Sequence, residues 1–293
     1  MHRHLPIIAL LVGLSWALTA CSSRQKVERI KMKEDPKSEG PAPTGVTKAT
    51  ADAYLKPGDF IFRTVNPKDP LSDKVTGAVI RHGQSTIDKV LFGVNELKRI
   101  ASKSDADFNR ATSEGDPNAV HLAIYLGAGE NAEAYGSTPT NASVNVWPLF
   151  SDGRRGTAWR IFRHKDPAIA ASVASIARRW ANGRMTYLMP LQLFVRDASW
   201  NAAARERARA YSAAAELAGG PADYREMFCS QFAVAVLQAA VLGASGVTPV
   251  TPDAQLDALP REAKVDSLAS PLRVFSEWQQ SGAFVEVGRV VVE

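Results

Sequence analysis

The chain has 293 residues, of which 45% are apolar and 22% are charged, and its formal net charge is +5 at pH 7. This composition is typical of a globular protein, and the length allows one large domain rather than a fibrous or disordered chain. So small a net charge gives no argument for nucleic acid as a partner.

The first 20 residues have the pattern of a secretory signal. Arg3 precedes an apolar run from Ile7 to Leu18, which is too short to cross a bilayer comfortably. The run ends in Leu18-Thr19-Ala20-Cys21, which resembles the lipobox of bacterial lipoproteins; a plain signal peptide that happens to contain a cysteine is the alternative. The resemblance implies lipidation of Cys21 and anchoring to a membrane. Because Ser22 rather than aspartate follows, it also implies the outer membrane, facing the periplasm.

Residues 21 to 50 are predicted to form a flexible tether. Lys26 to Lys37 mixes charges densely, and Gly40-Pro41-Ala42-Pro43 offers almost nothing that a core could use. A flexible segment of this length spans roughly 30 Å on average. The tether would therefore hold a folded domain, predicted over residues 51–293, close to the membrane.

Strands are predicted in the first half of the domain. A turn at Pro57-Gly58-Asp59 leads into the first strand, and the best-marked strand alternates Val120, Leu122, Ile124 and Leu126 with other residues. The predicted strands are Phe60–Arg63, Val120–Leu126, Ala132–Tyr135 and Ala158–Arg163. Residues 66–118 are polar and are predicted to be a loop-like insertion with a helical stretch near Thr86 to Ser102.

Helices are predicted to dominate the second half. Their ends are marked by capping residues such as Asp166 and Ser270, each followed by proline, and by glycines after the last turn. The predicted helices are 167–181, 199–217, 229–243 and 271–280, followed by a last strand over Phe284 to Val292. The fold class is therefore α+β, with an antiparallel sheet packed against helices.

Cys229 is a candidate nucleophile because it lies where a helix is predicted to begin. The unpaired N–H groups and partial positive charge of a helix N-terminus favour the thiolate, which is the nucleophilic form. If Cys21 carries lipid, Cys229 is the only thiol left in an exported chain. A buried and inert cysteine is the alternative.

His121 is the candidate base for this thiol. Beyond the signal the chain has only His82, His121 and His164, and His121 alone lies inside a predicted strand, on the face opposite Leu122 and Ile124. The small neighbour Ala123 would allow a helix to approach that face. A hydrogen-bonded structural histidine is the alternative.

Glu133 is the candidate third residue, which would orient the imidazole. In a tight hairpin through Gly127 to Asn131, pairing Glu133 with either Tyr125 or His121 places Glu133 and His121 on one face. The pattern therefore determines which face of the sheet Glu133 shares with His121 better than it determines whether the two side chains are in contact. A simple surface carboxylate is the alternative.

These motifs together resemble a known enzyme family. Pro57-Gly58-Asp59-Phe60-Ile61-Phe62, His121 to Gly127, Glu133-Ala134 and Phe228-Cys229-Ser230-Gln231-Phe232 look like the YiiX/YaeF-like, circularly permuted papain-fold amidases, relatives of the NlpC-type cell-wall peptidases. In the unpermuted relatives the cysteine helix precedes the histidine strand. The resemblance implies a permuted papain-like domain with Cys229 as nucleophile, His121 as base and Glu133 as the polar third member.

The expected function is that of an envelope-anchored cysteine hydrolase acting on an amide, with the stem peptide of peptidoglycan as its expected substrate. Two alternatives stay open: a lipid acyl hydrolase or acyltransferase of the same fold, and a non-catalytic envelope-binding lipoprotein. We expect a monomer.

No cofactor or metal is expected. The sequence has no paired Cys/His spacing for zinc, and Gly127-Ala128-Gly129-Glu130-Asn131-Ala132 matches a dinucleotide fingerprint only in form, since a hairpin and no long helix follows it.

Overall fold

The computed structural model describes residues 44–64, 119–135, 143–151, 154, 157–187 and 199–293. Cys21, His82, the signal peptide, most of the predicted tether and the predicted insertion near 66–118 with its helix lie outside the described residues.

One mixed sheet organises the described part of the chain. It contains nine strands in the order β1-β9-β6-β2-β3-β4-β5-β7-β8, and all neighbouring pairs are antiparallel except β1–β9 and β7–β8. The strands are β1 (Thr44–Val46), β2 (Phe60–Thr64), β3 (Ala119–Gly127), β4 (Glu130–Tyr135), β5 (Ser143–Pro148), β6 (Ala158–His164), β7 (Asn182–Tyr187), β8 (Glu226–Met227) and β9 (Phe284–Val292).

Six α-helices and one 3-10 helix lie among these strands in the described ranges. They are α1 (Ala51–Tyr54), α2 (Pro167–Trp180), α3 (Ala202–Ala213), α4 (Cys229–Ala244), α5 (Asp253–Asp257), the 3-10 helix Arg261–Lys264, and α6 (Pro271–Ser281). None of the described helices is long and apolar enough to cross a membrane. The α+β class with a largely antiparallel sheet is confirmed.

The sheet buries side chains on both faces. On one face the helices pack over residues such as Phe62, Leu122 and Ile124. On the other a smaller cluster includes Ile61 and Ala123, together with Ala51 and Leu55 at the ends of α1. Because strand side chains alternate, His121 points to the same face as Ala123, away from the face that most of α4 covers.

The sheet begins earlier in the chain than the sequence predicts. The sequence predicts that residues 44 to 50 belong to the tether, but Thr44–Val46 pairs in parallel with Val290–Val292. Val46 is fully buried, and its carbonyl oxygen accepts a hydrogen bond from the N–H of Glu293 at 3.1 Å. The sheet therefore includes residue 44 and begins before the predicted domain boundary at residue 51.

Besides β1, the sequence does not predict three of the strands. β5 is half-exposed and ends in proline, β7 begins with the turn-like Asn182-Gly183, and β8 has only two residues. α3 is shorter than the predicted helix 199–217. The Asn201 side chain accepts a hydrogen bond from Ala204 N–H at 3.0 Å and sets its start, and the chain turns after Ala213 toward Gly219 and Gly220, which have positive φ.

The arginines of α3 form ion pairs and are not simply a solvated helix face. Arg205 pairs with Asp253 and Asp257, Arg209 pairs with Asp253, and Arg207 pairs with the fully buried Asp266 at 2.7 Å. These pairs join α3 to the segment that follows α4.

Gly58 gives a stability prediction, because its φ is +90° and a Cβ there would collide with the carbonyl oxygen of Ala170 in α2. We expect Gly58→Ala to lower the free energy of unfolding by about 2–5 kcal/mol, of which about 1–2 is left-handed backbone strain and about 1–3 is overpacking. Urea denaturation measures the change.

Gly282→Ala is the matched control, since Gly282 also has a positive φ of +75° but its Cβ would meet no atom within 4 Å. It should cost only the backbone strain, about 1–2 kcal/mol. Equal losses in the two variants would contradict the packing of α2 against the Pro57-Gly58 turn.

Candidate active site

Cys229 is the first residue of α4, a helix whose residues are buried from Cys229 to Leu242. Phe228 before it is extended, with φ −96° and ψ 171°, and provides no side-chain cap. The first N–H groups of such a helix have no partner within the helix and carry a partial positive charge. Cys229 is a free thiol that is 5% exposed, so a nucleophile here would be held on a rigid core element.

His121 lies directly after a bulge in β3. Arg63 pairs with His121 and Thr64 with Ala119, so Val120 is the extra residue on β3. Bulges of this kind redirect neighbouring side chains and are frequent beside active sites. The His121 side chain is 14% exposed and contacts Glu133, and Cys229 lies close enough to raise the pKa of His121.

Glu133 accepts a hydrogen bond from the His121 ring. Its Oε2 lies 2.5 Å from His121 Nε2, and the Glu133 side chain is fully buried. Since Nε2 is engaged by Glu133, Nδ1 is the ring nitrogen that remains for the thiol of Cys229.

The register of the hairpin differs from both predicted pairings. Ile124 pairs with Ala132 and Tyr125 with Asn131, and continuing this register places Glu133 opposite Ala123. The two predicted registers, with Glu133 opposite Tyr125 or His121, are each wrong by two residues, in opposite directions. A shift of two residues keeps the face, so Glu133 and His121 are diagonal neighbours on one side of the sheet.

Arg154 is a functional candidate that sequence analysis missed. Its Nη1 lies 2.6 Å from Glu133 Oε1, and its guanidinium carbon lies 4.8 Å from the centre of the Tyr135 ring and 5.9 Å from that of Trp159. The only local signal is a glycine-flanked pair of arginines, Arg154-Arg155, and the sequence alone does not single out Arg154.

Two aromatic side chains enclose the imidazole. The centre of the His121 ring lies 6.0 Å from that of Tyr135 and 6.3 Å from that of Trp159, both in edge-on contact, and Tyr135 in turn contacts Trp147. The His121 side chain is therefore largely shielded from water, which strengthens the electrostatic interactions around it.

These contacts set the charge of the site. Burial alone would lower the pKa of His121, but the charge and hydrogen bond of Cys229, and then the hydrogen bond and charge of Glu133, raise it to about 9. Burial alone would raise the pKa of Glu133, but the charge of Arg154 and the hydrogen bond and charge of His121 lower it below its ordinary value. His121 is then protonated and Glu133 ionised at neutral pH. An imidazolium beside a cysteine stabilises the nucleophilic thiolate.

The structure thus brings Cys229, His121 and Glu133 into one chain of contacts, with Arg154 at its end. The other described histidine, His164, is buried at the end of β6, where its Nδ1 accepts a hydrogen bond from Asp166 N–H at 3.1 Å and its ring packs on Phe284. The described residues contain no group of three or more His, Cys, Asp and Glu side chains arranged to hold a metal ion.

No protein-family model, curated protein or solved structure matches the chain. Its function is therefore inferred from the geometry and chemistry of the site.

The coupling between Cys229 and His121 gives a titration prediction. We expect Cys229→Ala to lower the pKa of His121 well below about 9, because the raising influence of the thiol is lost while burial, which lowers it, remains. An NMR titration of the histidine ring protons measures the change. Near pH 8, His121 should be protonated in the wild-type protein and more neutral in the variant.

Ser230→Ala is the control for this titration. Ser230 is the next residue of α4, and its hydroxyl donates to the carbonyl oxygen of Ala269 at 2.7 Å. The variant should leave the titration of His121 unchanged. An unaltered titration in Cys229→Ala would show that the thiol does not interact with His121.

Proposed function

We propose that this protein is a cysteine hydrolase in which Cys229 attacks an amide carbonyl, His121 transfers the protons and Glu133 orients His121. One observation carries the proposal: Cys229 begins a buried helix and lies beside His121, whose pKa it raises, and His121 contacts Glu133, which in turn contacts Arg154. Perturbed groups held in this order are typical of functional sites.

The chemistry proceeds in two steps. The sulfur of Cys229, which has given its proton to His121 Nδ1, bonds to the carbonyl carbon, and the resulting tetrahedral intermediate collapses as the C–N bond breaks. The leaving amine takes the proton from His121, and a thioester remains on Cys229. Water, deprotonated by His121, then attacks the thioester carbon, which releases a carboxylic acid and regenerates the thiol.

The helix N-terminus serves the oxyanion that forms in each step. The backbone N–H of Cys229 belongs to the first turn of α4 and has no partner within the helix. A donor fixed in this way stabilises negative charge as it develops on the substrate oxygen, because it does not have to reorganise.

The fold that best fits this site is the circularly permuted papain-like fold of the YiiX/YaeF-like amidases. The histidine strand β3 and its partner β4 precede the nucleophile helix α4 in the chain, and α4 packs on the sheet that contains them. This order is the one that distinguishes the permuted branch from its unpermuted relatives.

The substrate we propose is an amide in the stem peptide of peptidoglycan. The reason is the expected location of the protein. A lipid on Cys21 and the segment that follows it would hold the domain at the periplasmic face of the outer membrane, within reach of the wall. A lipid acyl substrate is the alternative, and a separate experiment with phospholipid vesicles tests it.

Digestion of purified peptidoglycan tests the proposal. The protein without residues 1–21 should release new peptide fragments, detected by liquid chromatography and mass spectrometry. Cys229→Ala should release none, and His121→Ala should be slower by roughly 10²–10⁴-fold, the usual contribution of a general acid–base.

A second buried histidine and glutamate provide the controls. His164 and Glu262 are both buried, with Nε2 and Oε1 3.9 Å apart, and neither belongs to the proposed site. His164→Gln and Glu262→Gln should retain activity in proportion to the folded fraction. Identical fragment profiles from wild type and Cys229→Ala would exclude the wall substrate. Release of fatty acid from phospholipid vesicles that depends on Cys229 would assign the protein to lipid hydrolysis instead.

A further inference from the structure

Arg154 occupies the position that decides whether Glu133 can stay charged. The two oxygens of the Glu133 carboxylate are divided between two partners: Oε2 contacts His121 Nε2 at 2.5 Å and Oε1 contacts Arg154 Nη1 at 2.6 Å. Glu133 is fully buried and the Arg154 side chain is 8% exposed. A carboxylate removed from water in this way needs a nearby positive charge, because an unpaired one takes up a proton instead.

The Arg154 side chain is also held in place. Its backbone N–H donates to the carbonyl oxygen of Ser151 at 2.8 Å. The carbonyl oxygen of Arg154 accepts hydrogen bonds from both the N–H and the hydroxyl of Thr157, at 3.0 and 2.6 Å. The same hydroxyl accepts a hydrogen bond from Trp159 Nε1 at 2.9 Å. Tyr135 and Trp159 then flank the guanidinium at distances where a cation and an aromatic ring attract each other.

The charge of Glu133 has a consequence for the His121 ring. An ionised carboxylate only accepts hydrogen bonds, so His121 Nε2 must carry a proton, and Nδ1 is the nitrogen that exchanges a proton with Cys229. A protonated Glu133 could itself donate to Nε2. The neutral ring would then hold its proton on Nδ1 and could not accept one from the thiol.

We propose that Arg154 is a positioning residue of the site: it keeps Glu133 ionised, so that Glu133 holds a proton on His121 Nε2 and leaves Nδ1 to serve Cys229. This inference rests on the proposed function, since it assigns a role in activating the same thiol. Arg154 acts through Glu133 and His121 and does not contact the reacting atoms.

The test is the rate at which iodoacetamide alkylates Cys229, measured from pH 5 to 10. An ordinary thiol is less than about 1% ionised at pH 6, so fast alkylation there reports the ion pair with His121. Arg154→Met should slow alkylation at pH 6 by at least about 10-fold and move the midpoint of the rate–pH curve toward the ordinary thiol value of about 8.5. Arg154→Lys, which keeps the charge, should lie between Arg154→Met and wild type.

Two further variants separate positioning from folding. Arg207→Met removes another arginine that pairs with a fully buried carboxylate, that of Asp266, and should leave the curve of the folded protein unchanged. Glu133→Gln combined with Arg154→Met leaves no unpaired buried charge, and it should slow alkylation at pH 6 no more than Glu133→Gln alone.

The outcomes distinguish this inference from the proposed function. If wild-type Cys229 itself reacts with a midpoint near 8.5, the proposed function fails. If wild type reacts quickly at pH 6 and folded Arg154→Met shows the same curve, the role of Arg154 fails and the proposed function stands. A loss in Arg154→Met that is equal at all pH values, or that Arg154→Lys shares in full, would also overturn it.

Discussion

The burial of one carboxylate constrains the centre of this molecule. Glu133 is inaccessible to water, yet its surroundings favour its charged form, so both of its oxygens need positively charged donors. One donor comes from the neighbouring strand and the other from the loop between β5 and β6. The register of β3 and β4, the bulge before His121 and the position of Arg154 must therefore be compatible with a single arrangement. A buried charge specifies a structure in this way even where it contributes little to net stability.

The sequence predicts the periodic and chemically marked parts of this arrangement well. Strand β3, the capped helices α2 and α6, and the helix that starts at Cys229 all follow from alternation, capping residues or helical spacing. The shared face of His121 and Glu133 also follows. A strand repeats every two residues, so pairing Glu133 with either Tyr125 or His121 places it on the same face as His121. The register itself is not determined, since shifts of two residues keep the buried face and alter only which side chains are directly opposite.

Other features cannot be predicted because their causes are distant in the chain. Arg154 is identified by its approach to Glu133, Tyr135 and Trp159, and nothing in its own loop distinguishes it from Arg155. β1 and β8 have only three and two residues, too few to show a period, and they exist because β9 and β7 offer them edges. The ion pairs of the α3 arginines cannot be predicted for the same reason, since their partners in α5 and the segment after it lie more than 40 positions away in the chain.

The pairing of β1 with β9 also sets an order of events during synthesis. Thr44–Val46 has its partners at Val290–Val292, so the first strand of the sheet can take its place only after nearly the whole domain has been made. The hairpin that carries His121 and Glu133 is local and can form early, because closing a short loop costs little entropy. Cys229 lies more than a hundred positions after His121 in the chain, so it can approach the hairpin only later. The growing chain can therefore form the hairpin of His121 and Glu133 before Cys229 reaches it, and β1 joins the sheet last.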